Sequence, residues 1–82
     1  MSQRRQTPLG ITIGRRMRTM MYTRKLSSAD LMREIGMGSG QISSYLNGYG
    51  NMRADRLVLL AETLGCSTDY LLGLSNTPKR GY

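Results

Sequence analysis

The run LSSADLMREIGMGSGQISSYLNG, residues 26–48, admits few folds. It holds two short helical patterns with glycines between them, and its apolar residues fall at Leu26, Leu31, Ile35, Met37, Ile42, Tyr45 and Leu46. Ser27 followed by Asp30 predicts a capping-box start, with a hydroxyl to accept a backbone N–H and an acid beside the positive helix end. Gly36 closes the first helix, where a left-handed residue costs least. A second helix is expected to begin near Gly38 or Ser39, to run to about Leu46, and to stop at Asn47-Gly48. Two helices of about two turns joined by a short glycine-containing turn outline a helix-turn-helix.

The flanking chain supplies what such a motif packs on. Residues 1–8, MSQRRQTP, carry no periodicity and are expected to be a flexible basic arm. Thr7 before Pro8 suits a turn, and Thr12 is a candidate cap for a helix ending near Tyr22 or Thr23. In that helix Ile13, Met17, Met20 and Met21 fall on one face of a 3.6-residue period. A loop follows Gly48. A fourth helix is expected over about Met52 to Leu64, capped by Asn51, burying Leu57, Leu60, Ala61 and Leu64 and ended by Gly65. Ser67 can cap a short fifth helix holding Tyr70, Leu71 and Leu72, with Asp69 in its first turn. The expected organisation is an arm over 1–8, an all-α domain over 9–74 and a flexible tail over 75–82.

Several function classes fall away. A chain of 82 residues is one small domain, with little room for an enzyme-sized cavity. It has no histidine, which removes Ser-His and Cys-His nucleophile pairs and nearly all metal sites. The single cysteine, Cys66, excludes a disulfide framework and reads as a small buried residue. The glycines at 36, 38 and 40 do not follow a strand, as a phosphate-binding loop would. No apolar run is long enough to span a bilayer. No enzyme activity, cofactor, metal, membrane partner or small-molecule ligand is expected, and the cytoplasm is the expected location.

Charge points to a partner. The net charge is +7, and residues 1–25 hold seven Arg or Lys with no acid, whereas residues 26–74 hold three Arg and five acids. Basic side chains gain free energy by releasing counterions condensed on phosphates; the bland alternative is a solvated surface. In the third helix Ile42, Tyr45 and Leu46 point inward, so Gly40, Ser43, Ser44 and Asn47 point outward, with Ser39 and Gln41 near the N-terminal end. Near that end only Gln41 can pair with a base through two hydrogen bonds, favouring adenine.

The 26–48 run resembles the DNA-binding core of the phage-repressor family, the lambda repressor and Cro type. The resembling residues are the Leu26-Ser27 opening, the Gly36-Met37 turn, Ile42-Ser43 and the closing Asn47-Gly48. It extends to Ile13-Gly14 with Arg16 and Met17, and to Leu57–Gly73, roughly 60 residues. The resemblance implies a compact five-helix domain. It implies base contacts by Ser39, Gly40, Gln41 and Ser44, and backbone contacts by Ser28, Asn47, Arg53 and Arg56. Arg4 and Arg5 either reach a minor groove or phosphates or belong to an arm that touches nothing. Arg15, Arg16 and Arg18 divide between phosphate approach and solvation, and periodicity does not separate them. Related domains often pair an Arg late in the first helix with a Glu near the end of the recognition helix. Here those positions are Met21 and Leu46, expected to touch, since replacing both partners is cheaper than stranding one charge.

The function implied is a sequence-specific regulator of transcription that binds double-stranded DNA. The expectation is a repressor from a phage, prophage, plasmid or bacterial chromosome, covering a palindromic operator as a homodimer. Leu71, Leu72 and Leu74 are candidates for the dimer surface, or they only finish the core. The alternative is an antitoxin or adaptor module whose main partner is another protein. An organellar transit peptide would also be Arg-rich and acid-poor, but residues 13–23 are needed for the core.

Overall fold

A computed structural model describes residues 5–49 and 52–79. Five helices follow one another: α1 Pro8–Arg24, α2 Ser28–Ile35, α3 Ser39–Leu46, α4 Ala54–Leu64 and α5 Thr68–Leu71. Helix α1 lies against α3, α4 and α5, while α2 bridges α3 and α4. Ile13, Met17, Met20, Leu31, Met37, Ile42, Tyr45, Leu60, Ala61, Leu64, Cys66, Tyr70 and Leu71 form one buried core. Every helix contributes to it, so the helix-turn-helix is held by the whole domain. Met21 and Leu46 are both partly buried and pack against this core.

Helix α2 starts and stops where local chemistry says. The Ser27 hydroxyl accepts from the Asp30 N–H at 3.2 Å, and the Asp30 carboxylate accepts from the Ser27 N–H at 2.8 Å. Arg33, one turn on, also pairs with Asp30. These contacts, with the Ser27 N–H foremost, hold the Asp30 carboxyl below the ordinary aspartate range. A depressed folded pKa contributes stability above the unfolded pKa and loses it as pH falls through the folded one. Thermal melts should therefore separate Asp30→Asn from the parent at neutral pH, with the gap closing as the solution is acidified through the carboxylate range. A gap independent of pH would show that ionised Asp30 adds nothing.

Two boundaries differ from the sequence expectation. Helix α1 starts at Pro8, capped by Thr7, whose hydroxyl accepts from the Gly10 N–H at 2.9 Å. Proline at the first helical position has no N–H to leave unpaired and carries a helical φ. Thr12, the expected cap, lies within the helix and donates to the Pro8 carbonyl at 3.1 Å. Ahead of it Gln6, within the expected arm, bridges Tyr49 in antiparallel fashion. Helix α4 begins at Ala54, after an extended Arg53 that makes no side-chain cap; Asn51 lies outside the described residues.

The tail expected from residue 75 is anchored as far as Pro78. The Ser67 N–H donates to the Pro78 carbonyl at 3.0 Å, and Arg16 donates to the Ser75 carbonyl at 3.3 Å. Leu71 is wholly buried and so finishes the core, whereas Leu74 is 76% exposed.

Two glycines bring α1 onto the C-terminal end of α3. A Cβ on Gly14 would lie 2.4 Å from the Leu46 carbonyl oxygen and 2.8 Å from that of Tyr45. One turn earlier, a Cβ on Gly10 would lie 2.5 Å from the Gly48 carbonyl oxygen. The bare backbone of α1 thus sets the height and tilt of α3.

Candidate nucleic-acid interface

Helix α3 buries Ile42 and Tyr45 and turns Ser39, Gly40, Gln41, Ser43 and Asn47 to solvent, with Ser44 half-buried. At its start neither a side-chain cap nor a first-turn acid is present, so the positive end of the helix is not neutralised locally. Added Cβ atoms at Gly38 and Gly40 would meet nothing within 4 Å. This end of α3 is therefore open, electropositive and sterically bare. Gln41 is held by its own helix: its Nε2 donates to the Tyr45 hydroxyl at 3.2 Å.

The start of α2 is less open. Ser28 is exposed at the first helical position, but the N–H groups of Ser27 and Asp30 are taken by the capping box. Among the described residues, the N–H groups of Ser28 and Ala29 remain for an anion. Beyond α3, Arg53 is exposed and Arg56 half-buried. Asp55 lies between them, 3.4 Å from the Arg53 Nε and accepting from the Arg56 N–H at 2.9 Å. An exposed pair of this kind is worth little and yields readily to a phosphate.

The structure separates the arginines of α1 that periodicity left together. Arg16 stacks over the Tyr70 ring, 4.2 Å from its centroid, and Arg24 donates to the Gly65 carbonyl at 3.0 Å. Both tie α1 to the C-terminal elements, Arg16 to α5 and Arg24 to the end of α4. Arg18 instead donates to Asn47 Oδ1 at 3.1 Å, and with Arg15 it lines a cleft at the C-terminal end of α3. Arg5 is exposed, beside the anchored Gln6; Arg4 lies outside the described residues. Sequence reasoning missed the link between Arg18 and Asn47 and the support that Tyr45 gives Gln41. The first joins residues too far apart for pattern reading, while the second is an i, i+4 pair visible in principle.

A five-helix domain with a short polar helix presented beside arginines belongs to the helix-turn-helix class of DNA-binding folds. Residues 16–76 match the model of the Cro/C1-type HTH DNA-binding domain, and the chain belongs to that family. No curated protein matches the chain. Among solved structures it is similar to a hypothetical transcription factor, NHTF from Neisseria, with 19% identity over 88% of this chain and 84% of that one and a TM-score of 0.73. It is also similar to the restriction-modification controller protein C.AhdI from Aeromonas hydrophila, with 21% identity over 76% and 94% of the two chains and a TM-score of 0.69. At such identities the two likenesses speak for the fold. Among the described residues, no helix is long and apolar enough to cross a membrane, and no group of three or more His, Cys, Asp or Glu could hold a metal.

Proposed function

We propose that this chain regulates transcription as a repressor, binding a palindromic operator as a homodimer and denying polymerase the promoter. The observation that carries the reading is the bare, electropositive N-terminal end of α3, exposed on a helix whose other end lies beside Arg15 and Arg18. In this reading Ser39, Gly40, Gln41 and Ser44 face base edges, while Ser28, Arg53 and Arg56 address the sugar-phosphate backbone, with Asn47 beside it at the end of α3. A single such module makes a small interface, so two copies on half-sites about 34 Å apart gain the needed affinity. With Leu71 in the core, the dimer surface falls to exposed apolar residues such as Leu74, Val58 and Leu59.

Selecting bound duplexes from a random pool tests this directly. A recovered palindrome supports specificity and two-fold binding together. A single unrepeated half-site counts against the dimer, and no affinity for any duplex at low salt favours the protein-binding adaptor.

Gly40→Ala gives a second test with opposed signs. Nothing within 4 Å obstructs the new methyl group, and Ala in a helix gains up to about 1 kcal/mol over Gly. The melting temperature should rise while affinity for the selected operator falls, because the methyl stands where the helix meets the groove. Unchanged affinity would remove Gly40 from the contact surface.

A further inference from the structure

We infer that Arg15 and Arg18, with Gln6, form a phosphate clamp on the α1 flank of α3, and that Asn47 is a positioning residue aiming Arg18 into it. The inference rests on the DNA-binding reading and adds a contact surface on the first helix. Ile11, Arg15 and Arg18 lie on one face of α1, and with Gln6, Leu46 and Asn47 they line one cleft. Its lining joins two apolar side chains, Ile11 and Leu46, to two guanidinium groups and two amides. No acid lines it.

The hydrogen bonds make this cleft an extension of the recognition helix. Asn47 closes α3 and is bonded on three sides. Its Oδ1 accepts from Arg18 at 3.1 Å, its carbonyl accepts from Gln6 Nε2 at 2.8 Å, and its Nδ2 donates to Ser43 Oγ at 3.4 Å. Asn47 thus has little left for a phosphate, whereas Arg18 gives it one of five donors. Among the described residues Arg15 pairs with no acid.

On the DNA-binding reading the cleft comes to a backbone rail. Helix α3 has eight residues, so it is about 12 Å long, and a major groove is about 12 Å wide. With the first turn of α3 against base edges, its last turn comes out at the groove's edge. The cleft lies at that end.

The test measures duplex binding against salt for the full chain, with thermal melts run alongside. Each lost phosphate contact removes about 0.9 from the slope of log K against log salt. Arg15→Gln and Arg18→Gln should each lower it by that amount, and the double variant by ~1.8. Arg18→Lys, which keeps the charge, should keep the slope. Asn47→Ala should lower the slope in the parent and change nothing further in the Arg18→Gln background. If the parent binds with a steep slope that the double variant retains, the clamp is overturned and the DNA-binding reading stands. If the parent shows no salt-dependent binding, both fall together. Additive losses from Asn47→Ala and Arg18→Gln would overturn the positioning role and make Asn47 a contact itself.

Discussion

Gly14→Ala should destabilise the domain by about 3 kcal/mol and abolish DNA binding before the chain is fully unfolded. The new Cβ would lie 2.4 Å from one backbone carbonyl oxygen and 2.8 Å from another, at Leu46 and Tyr45. Neither obstacle is a flexible side-chain end, so relief requires α1 to move off α3. The helix-propensity gain of about 1 kcal/mol on replacing glycine opposes this without matching it. For a domain of this size each 1 kcal/mol moves the midpoint by about 4–8 °C, so a melting temperature lower by ~12–24 °C is expected. The displaced element is the recognition helix, so affinity should fall even under conditions where the variant remains folded. A variant melting at the parent temperature would mean that the two helices pack further apart than described. Gly40→Ala, the same change in the helix that would lie in the groove, is its counterpart. There the methyl group meets open space, and only a ligand can object to it.

The contrast between these glycines shows where pattern reading ends. The limits of α2 were legible because their causes lie within a turn: Ser27 with Asp30 at one end, left-handed Gly36 at the other. The inward and outward faces of α3 were legible because burial of Ile42 and Tyr45 follows the helical period. Gly14 stood out only through resemblance, since its reason is a carbonyl more than thirty residues away. Arg16 and Arg18 flank the apolar stripe of α1 on opposite sides, but a helical wheel does not say that one meets Tyr70 and the other Asn47. The start of α1 has causes of the same kind. Nothing near Gln6 or Thr7 reveals that they bond to Asn47 and Gly48, so the helix begins earlier than composition suggests.

Gln41→Ala should cost about 1–3 kcal/mol on the selected operator and relax preference at one base pair. Its neighbours on the exposed face are glycine and serines, so Gln41 is the side chain there that can span two groups of a base edge. Its Nε2 uses one hydrogen on the Tyr45 hydroxyl, leaving the other hydrogen and Oε1 for the N7 and N6 of adenine. Tyr45 is itself buried to 7% exposure, so the hydroxyl that orients the amide sits on an immobile ring. Such second partners reduce the ordering cost that a free glutamine meets on binding. Tyr45→Phe keeps the ring packed and removes only the orienting oxygen, so a smaller loss at the same base pair is expected. The double variant should lose no more than Gln41→Ala alone, because the hydroxyl acts through the amide. Affinities on the operator, on operators altered at single positions and on random duplex decide the matter. Equal losses on all three would show that Gln41 touches no base, and additive losses would detach Tyr45 from its role.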